Sequence, residues 1–384
     1  MPVTRFAFAS SLPLNTTTPR IFIAATEQNT GKTTTSLGLY AALRKNFSRI
    51  GFIKPVGQRF IEFEGKNVDE DSVLIRETFG TQVAIEDMSP IAVESKFTRR
   101  YIDHANHDSL ARRIQDSFDR AAWEKDFAIV EGTGHAGVGS VFDLSNARVA
   151  RLVHSKVILV TPAGIGRPID EAAVNKALFD KENVEVIGVV MNKVLPEKLE
   201  SITDTARRGF ERLGLELLGA IPRDGMLEQS TLAQMCGEIS GTFLHQAKHD
   251  RNRVAHVRIG AMSSANVFRG VKENTLLVVP GDRENIVRST LRRATEEAFP
   301  FCGIVLSDDI KPAPGLMREV CESPLPVVLS PLDSYSIASR IISRKVKTLP
   351  GDTEKIARIQ ELVSSYVNIR RILERIEAPS SHPA

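Results

Sequence analysis

Short apolar runs separated by longer amphipathic stretches constrain this chain most. From Arg20 onward RIFIAA, IGFIKP, FAIVEG, KVILVT, VEVIGVVMN and LELLGAIP each predict a short buried strand. Helical spacing fills the gaps between them, over 33–45, 72–79, 109–123, 169–179 and 198–213. Strands apolar on both faces and separated by helices specify a mostly parallel sheet with helices on both sides. This α/β domain is expected to span 20–222. The less patterned stretch after Pro222, with Gly225, Gly237 and Gly241, reads as a connection. A second alternation follows it, with NTLLVVPG, FCGIVLSD and LPVVLS as strands and helices over 283–299, 315–321 and 334–343. Together with the connection, this smaller α/β domain takes 223–350. A closing helix over 353–376, with Ile356, Ile359, Leu362 and Val363 at helical spacing, and a frayed tail complete 351–384.

Residues 1–19 are rich in Ser, Thr and Pro and carry no acidic residue, so a flexible leader is expected. A targeting peptide fits less well, because the segment has one arginine and a short, broken apolar stretch. Lys and Arg total 50 against 47 Asp and Glu, too small an excess to imply a nucleic-acid face. Apolar runs stop well short of the roughly 18 residues of a membrane span. Cys236, Cys302 and Cys321 are scattered, without a C-x-x-C pair, which fits a reducing cytoplasm and argues against a zinc site.

Ala25-Thr26-Glu27-Gln28-Asn29-Thr30-Gly31-Lys32-Thr33 follows the strand RIFIAA and opens a helix, the context of a phosphate-binding loop. Backbone N–H groups there point at phosphate oxygens, and Gly31 lets the chain come close. Lys32 reaches the terminal phosphates, and the Thr33 hydroxyl is placed for magnesium. Thr30, Gly31, Lys32, Thr33 and Thr34 are the expected nucleotide contacts. The pattern G-x-x-x-x-G-K-[ST] lacks its first glycine, and Thr26 stands there. A chance GKT at a helix start is the bland alternative; strand, loop and helix together argue against it.

Such a loop needs an acid on a neighbouring strand. Glu131 ends the run FAIVEG ahead of Gly132-Thr133-Gly134, and the carboxyl end of a parallel strand faces the ligand crevice. Its alternative is a turn cap. Asp69 and Asp71 start the helix after the second strand and offer a further oxygen, with N-capping as their alternative.

Three segments, Thr26 to Thr33, Lys54-Pro55-Val56-Gly57 and Glu131-Gly132-Thr133-Gly134, together resemble the dethiobiotin synthetase branch of P-loop proteins. That branch reads T-D-T-x-x-G-K-T, K-P-V-x-x-G and V-E-G-A-G-G, and places Thr at the loop's first position. Asn192, in VVMNKV, matches its adenine-contacting asparagine, and LLGAIPRD resembles the L-G-x-I-P run that closes such domains. The resemblance covers about 20–222. It implies ATP and Mg2+ as cofactors, with Thr33, Asp71 and Glu131 on the metal. Lys32 and Lys54 are its implied catalytic residues, Lys32 neutralising the transferring phosphoryl group and Lys54 lying near the γ-phosphate and an anionic acceptor. A strand-end surface lysine is the alternative for Lys54, weakened by the loop that Pro55 and Gly57 fix there. Gln28-Asn29 replace the branch's Thr-Glu and Gln58-Arg59 its Ser-Gly, so the acceptor side departs and a diaminononanoate substrate is not implied.

VVPGDRENIVRSTL, CGIVLSDDIKP and LPVVLSPLDSYSIASRI resemble a DRTGG domain. Gly281-Asp282-Arg283 is kept, whereas Ser307-Asp308-Asp309 stands where T-G-G is usual. Long phosphate acetyltransferases carry this pair of domains in their amino-terminal half, so the chain resembles that half, with the acetyl-transferring domain expected to be missing.

Two functions are expectations from these residues. One is an enzyme that hydrolyses Mg-ATP or transfers its phosphoryl group to a small anionic acceptor. The other is a regulatory module in which nucleotide binding switches the second domain, which senses a metabolite or binds a partner enzyme. Cobyrinic acid diamide synthases share the nucleotide domain but need a cysteine in a glycine-flanked strand-to-helix turn, and none of the three cysteines has that setting. His104 and His107, beside Asp103 and Asp108, and the pair His245 and His249 show no converging third ligand, so solvated or hydrogen-bonded histidines are expected. The basic run 340–347 reads as a solvated helix end. The resemblance also implies a homodimer or higher homo-oligomer, with a small-molecule anion or metabolite as partner; the charge balance and the short apolar runs lead to the expectation of neither nucleic acid nor membrane.

Overall fold

Three strands of the first unit, β1 (Arg20–Ala25), β2 (Ile50–Ile53) and β3 (Phe127–Glu131), are buried at every position. With β4 (Lys156–Pro162), β5 (Val186–Val194) and β6 (Leu217–Pro222) they form a parallel sheet in the order β6-β5-β4-β1-β3-β2. The strands were legible because burial on both faces leaves no polar alternation to confuse the reading. The order reverses at β1, which lies between β3 and β4, and open α/β sheets bind ligands at the carboxyl ends of strands at such a point. The connecting helices are α1 (Lys32–Leu43), α2 (Glu70–Phe79), α3 (His107–Ala122), α4 (Arg167–Lys181) and α5 (Leu199–Glu211). This computed structural model describes residues 15–247, 253–294, 296, 299–344 and 346–380. It divides into one unit running to Asp224 and resuming at Thr348, and a second spanning Gly225–Lys347.

Several local features escape the apolar pattern. Between β2 and α2 the chain forms a hairpin, Phe60–Phe63 against Lys66–Asp69. Its turn residues Glu64 and Gly65 both have positive φ, 51° and 73°, the requirement of a tight two-residue hairpin turn. Phe60, Ile61 and Glu62 are exposed, so no buried face marks the first strand in the sequence. Short helices at Ile85–Met88, Phe97–Asp103 and Asn146–Leu152 are likewise too brief to show a period. Residues 15–19, placed in the expected leader, are laced to α3. The Asn15 N–H donates to Asp119 Oδ1 at 2.7 Å, and the Thr18 hydroxyl donates to the Ala122 carbonyl at 3.3 Å. The rest of that leader, 1–14, the tail 381–384 and His249 lie outside the described residues.

The second unit carries a sheet of β7 (Thr242–His245), β8 (His256–Ile259), β9 (Thr275–Pro280), β10 (Phe301–Ser307) and β11 (Val327–Leu329), in the order β7-β11-β10-β9-β8. All neighbours are parallel except β7 with β11. β7 and β8 fall in the stretch expected to be a connection and are only partly buried, which blurs their pattern. Alternate residues of β9 feed opposite faces: Leu277 and Val279 pack with Ile286 and Val287 of α6 (Glu284–Arg293) and Leu316 of α7 (Pro314–Glu322). Leu276 and Val278 pack instead with Ile337 of α8 (Ser334–Ser343). Asp308 and Asp309, where the related domain has glycines, take left-handed φ of 64° and 53°, a conformation aspartate tolerates better than most residues. His245 Nε2 lies 2.8 Å from the Ser323 carbonyl, which fits a hydrogen-bonded histidine. No helix among the described residues is long and apolar enough to cross a membrane.

The chain then returns to the first unit. The closing segment is two helices, α9 (Thr353–Tyr366) and α10 (Ile369–Glu377), not the single expected one. The break follows from an open sheet edge. Val367 bridges Gly219 on β6, and the Asn368 N–H donates to the Leu218 carbonyl at 2.8 Å. The Asn368 side chain then caps α10 by accepting from the Arg371 N–H at 3.0 Å. α9 packs on α1, where a Cβ on Gly38 would lie 2.2 Å from Val363 Cγ2 and 2.4 Å from its Cβ. Gly38→Ala gains helix propensity of about 1 kcal/mol. Overpacking costs about 1–3 kcal/mol, and a β-branched valine has no free rotamer to yield. The steric term wins: urea unfolding is expected to show net destabilisation of about 1–2 kcal/mol, and unchanged stability would mean that α1 and α9 do not touch there.

Candidate nucleotide site

The loop after β1 is shaped by its own backbone. The Thr26 N–H donates to the Val160 carbonyl at 3.0 Å, and the Thr30 hydroxyl donates to the Glu27 carbonyl at 3.2 Å. Gly31 then takes φ 103° and caps α1. Among the described residues α1 has neither a side-chain cap nor an acidic residue in its first turn, so its N-terminal N–H groups and positive dipole end stay available to an anion. Lys32, Thr33 and Thr34 are half-buried at this mouth. Asn192, expected at the adenine, sits against the loop: its Nδ2 donates to the Thr30 carbonyl at 2.8 Å and its Oδ1 accepts from the Lys193 N–H at 2.9 Å.

Opposite Thr33 lies a buried cluster of charges. The Thr33 hydroxyl donates to Glu131 Oε1 at 3.2 Å, across 98 positions of sequence. Glu131 is fully buried, and its Oε2 has no hydrogen-bond partner among the described residues. Lys54 Nζ is 3.0 Å from Asp69 Oδ1 and 3.4 Å from Glu131 Oε1, and it pairs more closely still with Asp71. Lys54 is 7% exposed, which removes the surface-lysine alternative. Burial disfavours its ammonium, but Asp71, Glu131 and Asp69 outweigh that and raise its pKa. Burial pushes the Glu131 carboxyl up to about 7 against the pull of Lys54. Burial likewise pulls Lys32 down to about 8, with Glu131 opposing and Lys54 adding to the fall. Asp71 ends below the ordinary range, because Lys54 more than offsets its burial. Asp69 also caps α2, accepting from the Asp71 N–H at 3.0 Å, so its bland reading is realised while Asp71 faces Lys54.

Hard hydroxyl and carboxylate oxygens suit Mg2+, and the orphaned Glu131 Oε2 is an acceptor without a donor. Thr33, Glu131 and Asp71, whose two carboxylates both pair with Lys54, are the residues that could hold it. Among the described residues no three His, Cys, Asp or Glu stand grouped to cage a metal unaided. Magnesium at a phosphate loop takes its remaining ligands from water and phosphate, so none is needed.

Residues 19–231 match the AAA_26 model, an AAA domain. The chain belongs to the AAA_26 family. Behind the AAA_26 domain, residues 234–343 match the DRTGG domain, so the expected order of a P-loop domain followed by a DRTGG domain holds. Curated relatives are phosphate acetyltransferases, as the resemblance implied. That of Pseudomonas aeruginosa is 27% identical over 376 residues, covering 93% of this chain and 52% of the relative. That of Synechocystis sp. is 25% identical over 371 residues, covering 94% and 52%. The chain thus spans about half the length of the curated relatives it matches. Among solved structures, the MinC:MinD cell division protein complex of Aquifex aeolicus is similar over 54% of this chain and 83% of that one, at 16% identity and a TM-score of 0.36.

Sequence reasoning missed the polar residues that hold the AAA_26 loops. Asn146 Nδ2 donates to the carbonyls of Thr133 and His135, each at 2.6 Å, while its Oδ1 accepts from the Thr133 N–H at 3.0 Å. Asn175 Oδ1 accepts from the Ala136 N–H at 2.7 Å, and its Nδ2 donates to the Thr26 carbonyl at 3.3 Å. That one amide ties the loop after β3 to the loop after β1. The signal was available: Asn175 shares a helical face with the apolar Ala172 and Phe179, and a polar side chain buried there must find partners.

Proposed function

We propose that the first unit binds ATP with Mg2+ in the loop 26–34 and uses it for hydrolysis or for phosphoryl transfer to a small anionic acceptor. The observation that carries this reading is the 3.2 Å contact between the Thr33 hydroxyl, at a helix start without a side-chain cap, and a buried acid on a separate strand. Loop N–H groups and Lys32 hold and neutralise the phosphates, and Asn192 and Asn175 keep the loop in the shape that aims those N–H groups. Mg2+, when bound, supplies charge neutralisation on the phosphate oxygens. Glu131, Asp71 and Thr33 are its protein-side oxygens, and Lys54 is the cation nearest an incoming acceptor anion. Removing water from this cluster strengthens each charge interaction within it.

A second reading has its own support. Gln58 and Arg59, at the acceptor side, are exposed, and the half-length match is to proteins named for acetyl transfer. Here nucleotide binding with little turnover switches the DRTGG unit, which senses a metabolite or a partner enzyme. A homo-oligomer belongs to either reading and is measurable by light scattering with and without Mg-ATP.

Calorimetry with ATP tests the shared premise. Thr33→Val, which exchanges the hydroxyl for a methyl, is expected to lose roughly tenfold in affinity with Mg2+, about 1.4 kcal/mol for one lost ligand oxygen. In EDTA it should match the parent protein. Failure of the parent protein to bind ATP would overturn both readings. Turnover that rises with an added carboxylate or carbamate favours the enzyme; background turnover with a change in assembly favours the switch.

A further inference from the structure

We propose that Phe60 forms an apolar wall of the acceptor site, so that the anion accepted beside Lys54 is a small carboxylate carrying a hydrocarbon body. The inference rests on the phosphoryl-transfer reading above and names a substrate class for it. Its starting point is a strand register. Phe60 is the cross-strand partner of Asp69 in the hairpin, and directly opposed residues of an antiparallel pair project their side chains to one face. Just beyond them the Glu70 N–H donates to the Arg59 carbonyl at 3.2 Å. The pair thus lies between ladder bonds, where opposed side chains come closest. Asp69 shows where that face looks, since its Oδ1 lies 3.0 Å from Lys54 Nζ. Asp69 and Lys54 are 1% and 7% exposed, whereas Phe60 is 37% exposed. An accessible ring therefore stands next to a buried ammonium at the edge of the charge cluster.

The hairpin's other face is covered. Ile61 and Phe63 alternate to it, and Val68, opposite Ile61, is buried. There the Arg76 guanidinium lies 5.5 Å from the Phe63 ring and pairs with Glu64 at 3.0 Å, which ties this face to α2. The root of the hairpin fixes the Phe60 side. A Cβ on Gly57 would lie 2.7 Å from Asp69 Oδ2, so the chain passes directly against that carboxylate. The Thr133 hydroxyl donates to the Val56 carbonyl, and the Val93 N–H donates to the Gly57 carbonyl at 2.8 Å. The loop behind Glu131 and the hairpin that carries the ring are thereby joined at the base of the site. A single exposed ring needs no ligand; this one differs because it is paired in register with a member of the charge cluster. What a ring offers there is cover for hydrocarbon. In transfer, a carboxylate oxygen bonds to the γ-phosphorus as the bond from that phosphorus to the β,γ-bridging oxygen breaks. The products are an acyl phosphate and ADP, with no proton gained or lost. With the carboxylate at Lys54, the carbons behind it are the part that meets Phe60.

ADP release from Mg-ATP in the presence of acetate, butyrate or hexanoate is the discriminating measurement. In the parent protein the half-stimulating concentration is expected to fall by about fourfold for each added methylene that the ring covers. Phe60→Ala should raise the butyrate and hexanoate values roughly tenfold and move the acetate value by less than about twofold. Phe60→Leu, still apolar, should keep most of the gradient. An unchanged gradient in Phe60→Ala would overturn the proposal, because the hydrocarbon would then be held elsewhere. So would an equal shift for all three acids, the mark of a residue that only shapes the loop. Parent protein that responds to acetate at the same concentration as to hexanoate defeats this inference and leaves phosphoryl transfer standing. ATP binding with background turnover for all three acids defeats the inference and favours the switch. Absence of ATP binding defeats the reading beneath it.

Discussion

Gly31→Ala is expected to weaken Mg-ATP binding by at least about 100-fold, the equivalent of about 3 kcal/mol. Two effects act together. The residue holds φ 103°, where an L side chain is strained by about 1–3 kcal/mol. A Cβ there would also lie 2.0 Å from Asn192 Nδ2, well inside contact distance. Asn192 cannot step aside freely, because its amide holds the Thr30 carbonyl and the Lys193 N–H. The loop must therefore move, and the N–H groups that converge on phosphate move with it. Calorimetry on the folded variant reads the effect. An affinity within tenfold of the parent protein would show that this turn does not cradle the phosphates.

The second large effect is the charge on Lys32. Lys32→Ala should lose roughly 10–150-fold in ATP affinity at pH 7, the range for charge-assisted hydrogen bonds of about 1.5–3 kcal/mol. The parent protein should also show a pH dependence with a definite sign. Burial lowers the Lys32 pKa to about 8 in the free protein, so above that pH the amine is neutral. A bound triphosphate favours the charged form and raises its pKa, so binding above pH 8 takes up a proton. Affinity should fall about tenfold per pH unit there and be flat in this component below pH 8. Lys32→Ala should flatten the alkaline limb. Titrations at pH 7, 8 and 9 in buffers of different ionisation enthalpy measure the uptake directly. Equal affinity at pH 7 and 9 would show that Lys32 takes up no proton when the nucleotide binds.

The parallel sheet of the first unit was readable because its strands are short and apolar on both faces, and the phosphate loop because Gly31-Lys32-Thr33 stands between strand and helix. The pairing of Thr33 with Glu131 followed from topology: Thr33 opens the helix after β1, and Glu131 ends β3, the strand that lies beside β1 in a parallel sheet. What stayed hidden depends on contacts without a period. The Phe60–Phe63 hairpin strand shows an exposed surface, and Asn146 and Asn175 act through carbonyls that no motif names. Lys54 was placed near an acceptor, yet its three carboxylate partners come from α2, its cap and β3, brought together only by the fold. The break at Val367 was invisible for the same reason, since it answers the edge of β6 and not the local helical pattern.

The route of the chain has a consequence for biosynthesis. α9 and α10 belong to the first unit but emerge from the ribosome only after residues 225–347 have been made. At about 5–20 residues per second, that delay is on the order of ten seconds. Throughout it the nascent phosphate-loop helix lacks the partner that fits against Gly38, and the outer margin of β6 lacks Val367 and Asn368. Translation order thus separates making the nucleotide loop from completing the layer that covers its helix, and the half-finished unit is the vulnerable intermediate of this protein's synthesis.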